Sequence, residues 1–179
     1  SVRATGNRAF ASGHRTLASG SDAVAMGNWS YATGSETISI GKENWAQGAN
    51  TVAIGKENHA QDASAIAIGY GSHAAGGGSV ALGQENVSWG TTNFTAGYQN
   101  TAGDTSQGVG TAGSAIALGY QTTASGRSSF SANKSTTANN QASSSLGIGT
   151  TSDNFGMLAV GVNNAAGIGD TTVDPNDYG

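Results

Sequence analysis

Residues 51–69 read TVAIGKENHAQDASAIAIG and contain the pattern that decides the fold. Two pentapeptides in it, 51–55 and 65–69, begin two heptads (units of seven residues) apart. Each alternates large and small side chains before ending in glycine. Alternation with a period of two is typical of a β strand. The same pentapeptide recurs in register on both sides, at 23–27, 37–41 and 79–83. The sequence therefore predicts a repeated short strand.

Glycine recurs every seven residues from Gly6 to Gly97, apart from Asp62. Further along, the same position is held by Asp104, Asn133 and Asn140. A glycine in every heptad would cost a helix about 1 kcal/mol each, which excludes a coiled coil. Asp and Asn are the side chains that best tolerate a left-handed backbone. We therefore expect the seventh position of every heptad to be a turn residue with positive φ.

Two kinds of heptad alternate along the chain. When the recurrent glycine is counted as the seventh residue of its heptad, the fifth position is alanine, serine or threonine in both kinds. The fourth and sixth positions are aliphatic in strand A, as in Val52 and Ile54, and mixed in strand B, as in Trp45 and Gln47. The repeating unit is thus a coil of two heptads, with two strands and two turns. An array of such coils is a parallel β-solenoid whose neighbouring coils lie about 4.8 Å apart.

Side chains alternate across a strand, so positions four and six share one face and position five takes the other. We expect the small fifth residues to point into the coil, which leaves the aliphatic residues of strand A as an external apolar stripe. Such a stripe cannot be left in water, and closed symmetry with further copies would bury it. We expect a trimer interface formed by Val24, Met26, Ile38, Ile40, Val52, Ile54, Ile66, Ile68, Val80, Leu82, Ile116, Leu118, Leu158 and Val160. The alternative is that these residues line the interior of a monomeric solenoid, although strand B lacks matching apolar residues to meet them.

The composition excludes several classes of protein. With 29 glycines but a single proline and no three-residue period, the chain is not collagen. The absence of cysteine excludes disulfides and thiolate sites. Seven basic residues against eleven acidic ones argue against nucleic acid as a partner. No apolar run exceeds four residues, and the first residues lack the apolar core of a signal peptide. We therefore expect no membrane insertion by this segment, which would be an internal fragment of any exported parent.

The sequence contains little that indicates catalysis or metal binding. His59 and His73 should stack in successive coils, but no carboxylate joins that column, and an exposed polar ladder is the better interpretation. Glu43 and Glu57 lie beside lysines on a predicted convex turn, where a solvated charge cluster is expected. No serine, histidine and aspartate grouping stands out. We expect no enzyme activity, no metal and no cofactor.

Aromatic side chains on strand B are the candidates for ligand binding, because exposed aromatics are enriched at recognition sites. Cross-strand stacking that only stabilises the ladder is an equal alternative. We expect threonines to continue the column after residue 100, so the site would lie in the N-terminal half. The candidate residues are Trp29, Tyr31, Trp45, His59, His73 and Trp89.

The pentapeptides at 51–55 and 79–83 resemble the head repeats of YadA-like trimeric autotransporter adhesins. Each is followed by a similar pentapeptide two heptads later. The resemblance implies a left-handed parallel β-roll, a homotrimer, and display on the bacterial cell surface as part of a longer protein attached to the outer membrane. It also implies adhesion to a host extracellular matrix protein or a cell-surface receptor. We expect head repeats over residues 1–169, an irregular loop near 103–113, and a C-terminal cap or exit segment at 170–179. A passive spacer in a surface fibre is the alternative function.

Overall fold

The computed structural model describes residues 1–103 and 113–166. The regular secondary structure of these residues consists of β strands. Strands of five and of two residues alternate along the chain. The five-residue strands, which correspond to strand A, are Phe10–His14 (β2), Val24–Asn28 (β4), Ile38–Lys42 (β6), Val52–Lys56 (β8), Ile66–Tyr70 (β10), Val80–Gln84 (β12), Phe94–Tyr98 (β14), Ile116–Tyr120 (β16), Phe130–Lys134 (β18), Ser144–Ile148 (β20) and Leu158–Val162 (β22).

The two-residue strands correspond to strand B. They are Arg3–Ala4 (β1), Leu17–Ala18 (β3), Tyr31–Ala32 (β5), Trp45–Ala46 (β7), His59–Ala60 (β9), His73–Ala74 (β11), Val87–Ser88 (β13), Thr101–Ala102 (β15), Thr123–Ala124 (β17), Thr137–Ala138 (β19), Thr151–Ser152 (β21) and Ala165–Ala166 (β23).

Each strand pairs in parallel with the strand of its own kind in the next coil, which confirms the predicted unit. Ile66, for example, pairs with Val52 on one side and Val80 on the other, two heptads away in each direction. The result is two stacked parallel sheets, one of 11 and one of 12 strands within the described residues, in about 11 coils of ~14 residues. The all-β solenoid expected from the sequence is therefore confirmed.

One coil is longer than the others. Phe94 pairs with Ile116 and Thr101 with Thr123, an offset of just over three heptads instead of two. Since Gly103 and Gly113 flank the surplus, the extra residues fall where the irregular loop was expected. Residues 104–112, which make up most of the segment where an irregular loop was expected, and the predicted C-terminal segment at 170–179 lie outside the described residues.

The interior is built from small side chains, as predicted. Ala53 and Ala67 from the five-residue sheet and Ala46 and Ala60 from the two-residue sheet are completely buried in one cluster. Where hydroxyls replace alanine, they bond across the interior: the Ser88 and Thr95 hydroxyls lie 3.0 Å apart. The two sheets therefore approach each other closely enough for direct hydrogen bonds, which larger side chains would prevent.

A column of buried polar residues at the third position of the heptad, immediately before strand B, was not predicted. Asn58 donates its side-chain amide to the backbone carbonyls of Ile54 and Gly69, at 2.9 and 2.7 Å. Its Oδ1 accepts the backbone N–H of Ser72 in the next coil, at 3.0 Å. Equivalent bonds are made by Asn44, Asn86 and Asn100. The column satisfies backbone groups at the corner of each coil and ties successive coils together.

The expected turn residue with positive φ at every seventh position is wrong, because the two properties belong to different kinds of heptad. Gly27 and Gly41 lie within β4 and β6 and have φ of 113° and 125°, but Gly20 and Gly34, in the turns after β3 and β5, are outside the left-handed region. There the reason for glycine is steric, because a Cβ on Gly20 would overlap the carbonyl oxygen of Gly34 in the next coil. Among the Asp and Asn replacements, Asn133 has a φ of 96°, whereas Asp62 and Asn140 are not left-handed.

The left-handed residue found in both kinds of turn is instead the second of the next heptad. Glu43 and Glu57 occupy this position after strand A, with φ of 57° and 58°. Asp22 and Glu36 occupy it after strand B, with φ of 56° for both.

Candidate ligand-binding face and subunit interface

The strand B aromatics form the continuous column expected from the sequence. Tyr31, Trp45, His59 and His73 occupy equivalent positions in successive coils. The Trp45 ring makes edge contacts with Tyr31 at 5.3 Å and with His59 at 5.8 Å between ring centroids, at angles of 67° and 79°. The His59 and His73 rings stack in parallel at 4.7 Å. The column is thus a packed ladder of rings.

Trp89 extends the column by one ring although it does not share the same strand position. Val87 is the residue that pairs with His73 in the sheet. Trp89 lies two residues later, and its ring packs edge-on against His73 at 5.3 Å. In the coils that follow Val87, the same strand position is held by threonine, at Thr101, Thr123, Thr137 and Thr151. The aromatic part of the face is therefore confined to the N-terminal half, as predicted.

Four of the six candidate residues surround an open depression of about 700 Å³. It is lined by Trp29, Tyr31, Trp45 and His59, together with Glu43, Glu57 and Asn58. His73 and Trp89 belong to the column but not to this depression. Trp29 reaches it from the preceding turn, where its φ is 57°, and the Arg15 guanidinium lies 4.4 Å from the centroid of its ring.

The two glutamates were missed as lining residues, because a convex turn suggested plain solvent exposure. They occupy the left-handed turn position next to the aromatic column, and both residues line the depression. Each is paired with the lysine before it: Lys42 Nζ lies 3.3 Å from Glu43 Oε1, and Lys56 Nζ lies 3.1 Å from Glu57 Oε1. The hydrogen bond from Lys56 to Glu57 raises the pKa of the lysine. The charge cluster expected from the sequence is present, and it borders the depression.

The stacked histidines are half-buried, and this changes their titration. Burial lowers the pKa of His59. For His73, burial lowers the pKa first and repulsion from His59 lowers it further. The Nε2 atoms of both rings are buried without a hydrogen-bond partner among the described residues. Both imidazoles therefore stay neutral in a wider pH range than a free histidine would.

The apolar stripe of strand A lies on the outside of the coils. Every residue expected to form the trimer interface is exposed or half-buried in the single chain, and the completely buried positions belong to alanine, serine, threonine and asparagine. Leu158, with 62% of its surface exposed, is the most open of them. The alternative in which these residues form the interior of a monomeric solenoid is therefore wrong. Interior space between the sheets accommodates only small side chains.

Within residues 1–103 and 113–166, no group of three or more His, Asp or Glu side chains is close enough together to hold a metal ion. In the same part of the chain there is no helix long and apolar enough to cross a membrane.

Comparison with known families agrees with this architecture. The family model described as the YadA head domain repeat (2 copies) matches residues 4–28, 32–58, 63–86 and 111–131, more than half of the chain. A comparison with curated proteins finds no match. Heads of this family belong to surface-exposed autotransporter adhesins, which in general assemble as trimers and are not known as enzymes. The chain belongs to the family of YadA-like heads of trimeric autotransporter adhesins.

Proposed function

We propose that this chain is the non-enzymatic head of a bacterial surface adhesin, that it works as a homotrimer, and that it attaches the cell to host cells or extracellular matrix. The observation that carries this proposal is the position of the two side-chain columns. The apolar stripe is on the outer face of the five-residue sheet, and the aromatic column is on the outer face of the two-residue sheet. Because the coil interior separates these faces, burying the stripe between subunits leaves the aromatic face accessible.

The composition of the stripe supports burial against further copies. In the 11 five-residue strands of the described structure, the fourth and sixth heptad positions contain no charged residue. A surface in contact with water has no reason to exclude charge so strictly. Burying each aliphatic side chain would stabilise the assembly by about 1.5–3 kcal/mol. The stripe therefore supplies the driving force that an alanine interior lacks.

Side-chain volumes within the stripe also support its burial against further copies of the chain. Each phenylalanine at position four is followed at position six by a very small residue, in the pairs Phe10/Ser12, Phe94/Ala96 and Phe130/Ala132. The other coils mostly combine two aliphatic side chains of intermediate size, such as Val52 and Ile54. Compensation of this kind is expected where each layer must fill a fixed space, as in a packed core, and not on a free surface. It supports a trimer in which equivalent coils of the three chains meet.

The trimer is tested by light scattering on a sizing column with the purified chain and with Ile54→Asp. We expect three chains per particle for the unmodified chain and loss of the trimer in the variant, because a carboxylate would be buried in the interface. Gln61→Asp, an acidic substitution on the opposite sheet, is the matched control and should stay trimeric. A stably folded monomer in dilute solution would refute the assembly.

Attachment is tested by binding of the trimer to immobilised collagen, fibronectin and laminin and to epithelial cells. We expect retention on at least one of these surfaces, at the aromatic face formed by Trp29, Tyr31, Trp45, His59, His73 and Trp89. Uniform failure would contradict the adhesive role.

A passive spacer is the second candidate function, and the C-terminal half of the column favours it for that half. From Thr101 to Thr151 the outer column contains only threonine, with no large ring to form a contact. We propose that head repeats extend over residues 1–169, with 170–179 as a cap or exit segment, and that the threonine coils mainly hold the aromatic coils away from the cell. A shortened chain lacking the coils of β18 to β21 should bind purified ligand as well as the full chain does.

A further inference from the structure

The depression beside Trp45 provides exposed ring surface on a rigid base. Trp45 exposes 47% of its surface, although its edges contact Tyr31 and His59. Asn58 forms part of the lining, but its polar atoms are occupied by the hydrogen bonds that connect the coils. A volume of about 700 Å³ is within the range of small-molecule sites, roughly 300–1,000 Å³. The rings are therefore held in place before any ligand arrives.

Charge distinguishes between the ligands that this surface could take. A cationic ligand would have to compete with Lys42 and Lys56, whose ammonium groups already offset the charge of Glu43 and Glu57. The Trp29 ring already has the Arg15 guanidinium over it. An anionic ligand would meet two carboxylates in the lining, whereas neither lysine lines the depression. The arrangement favours a ligand without net charge.

The carboxylates also exclude a purely apolar ligand. The pairing lysines contact Oε1 of each glutamate, and no described residue donates to Oε2 of Glu43 or Glu57. Covering these oxygens with an apolar group would remove a charged group from water without a donor, which is strongly unfavourable. A ligand that covers the rings must therefore bring hydrogen-bond donors to the rim.

A pyranose ring meets all three conditions: it is neutral, has an apolar C–H face for an aromatic ring, and has hydroxyl groups that donate to carboxylates. We propose that the depression lined by Trp29, Tyr31, Trp45, Glu43 and Glu57 is a binding site for neutral glycans. Trp45 supplies the platform, and the two glutamates accept hydroxyl hydrogen bonds. This inference rests on the proposed adhesive role and names the class of host ligand for it.

The test uses the trimeric chain on an array of neutral oligosaccharides, with sialylated and sulfated glycans and basic peptides on the same array, followed by titration with the best neutral glycan. We expect selective retention of neutral glycans. Trp45→Ala should weaken the affinity at least tenfold, because it removes the platform. Glu57→Gln, which preserves size and shape, should weaken it severalfold by replacing a charged acceptor with a neutral one.

Tyr120→Ala is the matched control, because its ring is exposed to a similar extent, 45%, but lies outside the depression. It should bind like the unmodified chain, and all variants should stay trimeric in light scattering. Preferential retention of basic peptides or anionic glycans, retention of no neutral glycan, or neutral-glycan binding unaffected by both Trp45→Ala and Glu57→Gln would overturn the proposal. If host cells are still bound in those cases, the adhesive role survives and only the glycan site fails. If no host surface is bound at all, the proposed function itself fails.

Discussion

Asn58 donates its backbone N–H to Oδ1 of Asn44 in the preceding coil, at 3.0 Å, and its side-chain Nδ2 lies 3.2 Å from the same oxygen. The two asparagines are completely or almost completely buried, and they occupy the same corner of successive coils. An asparagine amide has two donors and an acceptor, so the Asn58 side chain binds its own coil and the next one, while its backbone N–H binds the preceding coil. This relationship makes the polar corner, as well as the alanine interior, a determinant of stability.

Asn58→Ala should lower the free energy of unfolding by about 3 kcal/mol, because buried backbone carbonyls lose their donors. Gln61→Ala, on the exposed side of the same coil, should change it by less than about 0.5 kcal/mol. Denaturant unfolding followed by circular dichroism measures both. Equal stability of the two variants would show that the asparagine column does not support the coil.

The neighbouring glycines Gly76 and Gly77 allow the steric explanation of the turns to be tested. A Cβ on Gly76 would overlap the carbonyl of Gly90, whereas a Cβ on Gly77 would have Ala63 O as its nearest atom, at 3.6 Å. Neither residue is in the left-handed region. We expect Gly76→Ala to cost at least about 3 kcal/mol. Gly77→Ala should be neutral or stabilising by about 0.5 kcal/mol. Thermal melting distinguishes them, and a tolerated Gly76→Ala would contradict stacking as the reason for glycine.

Volume compensation in the stripe predicts coupling between Val52 and Ile54. Val52→Phe alone should destabilise the proposed trimer by about 1–3 kcal/mol through overpacking. Ile54→Ala alone should cost about 2–5 kcal/mol by leaving a cavity. The double variant reproduces the Phe94/Ala96 pair and should cost at least about 1 kcal/mol less than the sum. Dissociation of the trimer in denaturant is the measurement.

The matched control for this cycle is on the other sheet. His59→Phe and Gln61→Ala occupy the same two heptad positions of strand B, where we expect no enclosed layer. Their effects should add. Additive effects in the Val52 and Ile54 cycle as well would mean that the stripe does not fill a fixed space.

The histidine stack predicts that stability falls in mild acid. Since burial lowers the pKa of His59 and His73 in the folded state, the unfolded chain binds more protons in that range, and the free energy of unfolding increases with pH. The stabilisation is complete above about pH 6.5, the ordinary pKa of histidine. It is lost as the pH falls through the lowered pKa values that His59 and His73 have in the folded state. Glu43 and Glu57, which line the adjoining depression, do not reverse this effect of burial on His59.

Melting temperatures at pH 7.5 and pH 5 measure this effect. Asp22 should not contribute to the difference between pH 7.5 and pH 5. The hydrogen bonds from Arg8 lower the pKa of this carboxyl below its ordinary value of about 4, so it titrates outside that pH interval. The double variant His59→Gln/His73→Gln should reduce the difference between the two melting temperatures, and His14→Gln should not. An unchanged difference in the double variant would assign the acid sensitivity to other groups.

Much of the fold could be predicted because two short-range rules repeat in every coil. Alternation around Ala53 indicates a strand and places the small residue inward. Repetition after two heptads then implies parallel pairing in register, as Ile66 and Val80 show. The reason for glycine after strand B could not be read in the same way, because Gly20 is required by contact with Gly34 in another coil and not by its own φ. The sequence pattern alone does not distinguish these two causes.

The candidate site was predicted only in part. In-register repetition was enough to align Tyr31, Trp45, His59 and His73, because equivalent positions must stack in a solenoid. It did not place Glu43 and Glu57 beside the rings, since that depends on the left-handed turn that precedes strand B.

The sequence by itself determined the coil length, the pairing register, the alanine interior and the external stripe, because each follows from local periodicity repeated many times. Only the tertiary structure decided the asparagine column, the contact of Trp89 with His73, and the depression that joins Trp29 to Trp45. Those features depend on distances between different coils and on the direction of turn side chains, which local periodicity does not specify.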